Sequence, residues 1–120
     1  MPVVPNASPT RDGYFEVRPG DVATNDALTF IDVRGEAELL GPSGHIHGVT
    51  HVPMATILKE GLPDVAKDTP IVLVCERGPR AVTCAKHLLA AGYGEVYLLV
   101  GGMARWNGEE RPVARAKTWK

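Results

Sequence analysis

IVLVCERGPRAV, residues 71–82, sets the frame for reading the rest of the chain. Ile71, Val72, Leu73 and Val74 form an unbroken apolar run, mostly β-branched, ending at Cys75. Such a run, cut off by a glycine and a proline, reads as a strand buried on both faces. From Arg80 to Ala91 the period changes: apolar side chains fall at 81, 82, 84, 85, 88 and 89, one face of an amphipathic helix. Gly92 is its C-cap candidate. Strand, short loop and helix in that order suggest a parallel sheet. In such sheets, sites form beyond the carboxyl ends of the strands, where Cys75 stands.

The same alternation extends outward. FEVR (15–18), LTFIDV (28–33), THV (50–52) and VYLLV (96–100) are further strand candidates. Helical candidates are a short turn opened by Pro19, EAELL (36–40), Pro53 to about Glu60, and a last helix within GGMARWNG (101–108). The pattern is α/β with a mainly parallel sheet. Asp32 also falls at a strand's carboxyl end.

At 120 residues the chain is long enough for one domain with its own core. Residues 1–14, with prolines at 2, 5 and 9, read as a loosely ordered lead-in, 15–113 as the domain, and 114–120 (ARAKTWK) as a solvated basic tail. Thirteen basic against fourteen acidic side chains give a net charge of -1, which does not suggest a nucleic-acid partner. No apolar run reaches the roughly 18 residues of a membrane span, and the first residues lack a signal-peptide pattern. The expected location is therefore cytoplasmic, with Cys75 and Cys84 reduced. Their spacing fits no zinc pattern, and no cofactor is expected.

The loop of Glu76, Arg77, Gly78, Pro79 and Arg80 carries the chemistry. A short loop curling around a side chain aims its N–H groups inward, and the following helix adds partial positive charge. Both favour a thiolate at Cys75, as do Arg77 and Arg80. Gly78 permits a tight or left-handed turn, while Pro79 removes one N–H. Cysteine phosphatases and related arsenate reductases resemble C-x5-R, which would need arginine where this chain has Ala81. The spacing here is C-x4-R, better suited to a single sulfur than to a phosphoryl group.

Five segments, in order, resemble the single-domain rhodaneses. IDVR with Glu38 is similar to D-V-R-x-x-x-E, and GHIHGVTHVPM (44–54) to G-H-I-x-G-A-x-H-V-P. CERGPRA resembles C-x-S-G-x-R-S. AAGYGEVYLLVGGMARW (90–106) is similar to G-F-x-x-V-x-x-L-x-G-G-x-x-x-W, and ERPV to a G-x-P-V ending. The resemblance implies a rhodanese-like fold: a mainly parallel five-stranded sheet with helices on both faces. It also implies a thiosulfate sulfurtransferase-type enzyme in which Cys75 carries sulfane sulfur as a persulfide. Partners would be a small sulfane-sulfur donor and a cyanide, thiol or protein-thiol acceptor, with no membrane. The alternative is a persulfide carrier or regulatory module with little turnover.

Glu76 and Arg77 depart from the arginine and serine common at these positions. Arg77 is the candidate for attracting an anionic donor, and Glu76 is expected to oppose it. Asp32 and Glu38 are expected to support the loop by pairing with Arg80 or Arg34. His45, His47 and His51 form H-x-H-x3-H, but two of them match family histidines that hold no metal, so no metal site is expected. Cys84 lies on the apolar helix face and reads as core, and His87 as solvent-exposed.

Overall fold

The computed structural model describes residues 3–120. In chain order its strands are β1 (Ser8–Pro9), β2 (Phe15–Val17), β3 (Thr29–Asp32), β4 (Thr50–His51), β5 (Ile71–Val74) and β6 (Val96–Leu99). The helices are α1 (Pro19–Val22), α2 (Glu36–Leu39), α3 (Met54–Glu60), α4 (Pro79–Ala90) and α5 (Gly102–Gly108). The strands form one sheet in the order β1-β2-β6-β5-β3-β4, parallel throughout except for the β1–β2 pair.

Side-chain alternation divides the core into two layers. Ile71, Leu73, Val96 and Leu98 face one side with Ile57 of α3 and Ala81, Cys84, Ala85 and Leu88 of α4. Val72, Val74, Tyr97 and Leu99 face the other with Val22 of α1 and Met103 and Trp106 of α5. Apolar runs in β5 and β6 are unbroken because helices cover both faces, as expected of a parallel sheet. α4 ends in a Schellman arrangement: Tyr93 N–H reaches Leu88 O and Gly92 N–H reaches Leu89 O, each at 3.1 Å, with Gly92 at φ +102°.

The sheet has six strands, not five. β1 pairs antiparallel with β2, and its two residues are too few to show a strand period. Residues 3–14 are also more firmly held than a loose lead-in; residues 1 and 2 lie outside the described range. Val4 is 1% exposed in the second core layer. Glu95 accepts the Val3 N–H at 2.8 Å and the hydroxyl of Tyr97, whose pKa burial and the Glu95 bond push up to about 12.

The tail also differs from a solvated segment. Ala114 and His45 exchange backbone hydrogen bonds of 2.9 and 2.8 Å. At the far end, Lys120 N–H reaches Val49 O at 3.0 Å and His51 N–H reaches Lys120 O at 2.9 Å, so residue 120 pairs with the open edge of β4. Among the described residues, no helix is long and apolar enough to cross a membrane.

Candidate active site

β5 delivers Cys75 to the carboxyl edge of the sheet, where its side chain continues the Ile71–Leu73 face and is 1% exposed. Gly78 turns the chain back with φ 128° and ψ -42°, a conformation that L side chains rarely adopt. Its N–H thereby donates to Cys75 Sγ at 2.9 Å. Pro79 opens α4, one residue earlier than the sequence pattern suggested. At that first helical position its missing N–H would have lacked an intrahelical acceptor in any case.

α5 holds the outer side of the loop. Met103 N–H donates to Cys75 O and Ala104 N–H to Glu76 O, both at 2.9 Å. Across a planar trans peptide the carbonyl and the next N–H point in opposite directions. Docking the two carbonyls on α5 therefore turns the N–H groups of Glu76 and Arg77 away from that helix, into the loop. Gly102 makes this approach possible: a Cβ there would overlap Cys75 O and stand 2.6 Å from Glu76 O.

Three acidic and three arginine side chains surround the loop, leaving it formally neutral before Cys75 ionises. Arg34, fully buried, donates from Nε and Nη2 to Asp32 at 2.9 and 2.8 Å, from Nη2 to Gly44 O at 2.7 Å, and from Nη1 to Glu76 Oε1 at 3.2 Å. Burial works against the Arg34 charge, but bonding to Asp32 outweighs it and raises the pKa above its ordinary value. Glu38 pairs with Arg80 through two bonds of 2.8 Å, which hold its carboxyl down at about 2. The sequence left the partners of Asp32 and Glu38 open; they are Arg34 and Arg80 respectively.

Glu76 does not stand over the sulfur as an opposing charge. Its carboxylate turns to Arg34 and accepts the Ser43 hydroxyl at 2.9 Å. Ser43 and Gly102 carried no sequence signal of their own: each meets the loop only through the fold. Arg77 is exposed and, among the described residues, has no ion-pair partner.

The histidines serve the scaffold. His45 is buried, with Nδ1 donating to Leu39 O at 2.9 Å, which leaves Nε2 to accept the Thr118 hydroxyl at 2.8 Å. His51 Nε2 donates to Arg34 O at 2.7 Å, and His47 is exposed. His87 is half-buried rather than fully exposed. Among the described residues, no three His, Cys, Asp or Glu side chains gather as metal ligands. Cys84 is fully buried, and burial, with the Cys75 charge adding, pushes its thiol up to about 11. It therefore stays protonated in the core. Two clefts of about 340 and 900 Å³ flank β4, and neither is lined by the loop.

An unpaired thiol at a strand's carboxyl edge, held in a strand–loop–helix turn, defines an α/β domain with a cysteine loop. The profile of the Rhodanese-like domain matches residues 21–109, and the chain belongs to that family. It is 32% identical over 91 residues to the putative sulfurtransferase YtwF of Bacillus subtilis, covering 76% of this chain and 84% of YtwF. It is 28% identical over 104 residues to the putative sulfur carrier protein YrkF of the same organism, covering 87% of this chain but only 55% of YrkF. A crystal structure of a rhodanese-related protein from Thermoplasma volcanium superposes with TM-score 0.73 at 27% identity, over 83% of this chain and 97% of that one.

Proposed function

We propose that the chain is a sulfurtransferase working by double displacement at Cys75. The thiolate attacks the outer sulfur of a sulfane donor such as thiosulfate; a sulfur–sulfur bond forms to Cys75 as the donor's own breaks, and sulfite leaves with the bonding pair. Cyanide or a thiolate then takes that outer sulfur and returns Cys75 as thiolate. The loop N–H groups stabilise the persulfide's outer sulfur, in the way an oxyanion hole stabilises developing charge. Arg77, exposed at the loop, attracts the anionic donor.

The observation that carries this reading is the Gly78 N–H on Cys75 Sγ in a loop whose carbonyls are docked on α5. Kinship with a putative sulfurtransferase and a putative sulfur carrier supports sulfur transfer as the general activity. The neutral charge balance around the loop favours, as a second reading, a persulfide carrier with slow thiosulfate turnover.

A thiosulfate–cyanide assay separates the two, because a carrier forms the persulfide without fast thiocyanate release. Mass spectrometry should show a dithiothreitol-sensitive adduct of about 32 Da, one sulfur, in either case. Cys75→Ser should abolish adduct and turnover, and Arg77→Glu should raise KM for thiosulfate about tenfold. Turnover surviving in Cys75→Ser would sink the mechanism.

A further inference from the structure

We infer that Glu76 is a positioning residue that latches the sulfur loop, not a charge that selects against anionic donors. This rests on the reading of Cys75 as the sulfur-carrying thiol. Glu76 is held at both ends. Its carboxylate accepts from Arg34 Nη1 (3.2 Å) and Ser43 Oγ (2.9 Å), and its carbonyl accepts from Ala104 N–H (2.9 Å).

These bonds close a ring. Asn107 of α5 donates from Nδ2 to Ser43 O and to Met103 O, each at 2.9 Å. Thus α5 holds Glu76 directly by backbone and indirectly through Ser43. The peptide joining Cys75 to Glu76 lies inside that ring, so its N–H direction depends on the carboxylate staying in place. The buried Arg34 links the ring to Asp32 at the end of β3.

The two roles predict opposite signs. As a repelling charge, Glu76 raises the thiol pKa, so removing the carboxylate in any way lowers that pKa and the KM for thiosulfate. As a latch it preserves the N–H cradle, so truncation disorders the loop and raises the pKa. Glutamine keeps an acceptor for Arg34 and offers its amide to Ser43 Oγ, restoring most of the latch without the charge.

The test is the pH profile of iodoacetamide alkylation at Cys75, read on its own peptide so that Cys84 does not contribute, together with steady-state sulfur transfer. Glu76→Ala should raise the apparent Cys75 pKa by about one unit and lower kcat about tenfold, with KM changed less than about twofold. Glu76→Gln should keep more than about a third of kcat, and Ser43→Ala should shift the pKa in the same direction as Glu76→Ala, by less. Thermal melts of each variant separate loop loosening from global unfolding.

A fall in pKa and KM in both Glu76 variants would overturn the inference, as would a Glu76→Ala protein matching wild type. If the wild type shows no Cys75-dependent transfer, the proposed function fails, while the alkylation profile still decides the role of Glu76.

Discussion

Arg80 and Glu38 meet through two parallel bonds, Nη1 to Oε2 and Nη2 to Oε1, each 2.8 Å long. Glu38 also accepts the Gly35 N–H at the start of α2, at 2.9 Å. Chiefly through the Arg80 bonds, its pKa drops from 4.5 to about 2. A carboxyl lowered on folding stabilises the native state at pH above its unfolded value, and that contribution is lost as pH falls towards the folded one. The window is therefore about pH 4.5 down to 2. Both side chains are more than a third exposed, so solvent screening holds the effect to about 0.5–1 kcal/mol. Glu38→Gln should accordingly flatten the acid limb of stability, measured by urea unfolding at a series of pH values. Equal slopes in variant and wild type would show that the pair contributes nothing to folding. The D-V-R-x-x-x-E pattern made Asp32, Arg34 and Glu38 visible as candidates, but two acids and two arginines allow either pairing on paper. Register decided it: Asp32 and Arg34 lie two residues apart on one side of the chain leaving β3, whereas Glu38 on α2 reaches across to the start of α4.

At the scale of elements, the long ones were legible and the short ones were not. β5, β6 and α4 each carry a strong period and lie within one residue of their expected bounds. β1 has two exposed residues and no period, so nothing marks it until β2 is in place beside it. α5 shows the same divide differently: its position was legible from GGMARW, but its task was not, because the partners of its first N–H groups are carbonyls some 27 residues earlier, Cys75 and Glu76. Gly102 is the contact point, at φ +54° and with no space for a β-carbon against those backbone oxygens. Backbone cannot step aside as a flexible side chain can, so Gly102→Ala must push α5 off the loop. The expected result is a loss of about 2–4 kcal/mol in stability and a fall in Cys75 reactivity towards iodoacetamide. By contrast, Gly108→Ala, where nothing lies within 4 Å of the added carbon, should leave both nearly unchanged. Equal behaviour of the two variants would mean that α5 does not hold the loop.

Across the whole molecule, the chain ends are part of the fold, and they are where composition misleads most. ARAKTWK looks like a solvated tail because four of its seven residues are charged or hydroxylated, yet its tryptophan is where the packing lies. Trp119 is half-buried and meets His45 edge-on at 4.9 Å between ring centroids, and His51 at 5.8 Å. Thr118 bonds His45 Nε2, and the backbone of Lys120 pairs with the edge of β4. The two histidines in turn brace α2 at Leu39 O and the chain after β3 at Arg34 O. Removing the indole strips two edge contacts and the apolar cover of a buried histidine. Aromatic pairs of this kind contribute about 0.5–1.5 kcal/mol each, so Trp119→Ala should cost about 1–2 kcal/mol. For a domain of this size that corresponds to a Tm lowered by about 4–8 °C. Trp119→Phe should recover a good part of the loss, because a ring edge is restored without the indole's full area. If the segment were solvated instead, Trp119→Ala would melt within about 1 °C of the wild type. A scanning calorimetry comparison of the three proteins at neutral pH decides between a strap and a tail.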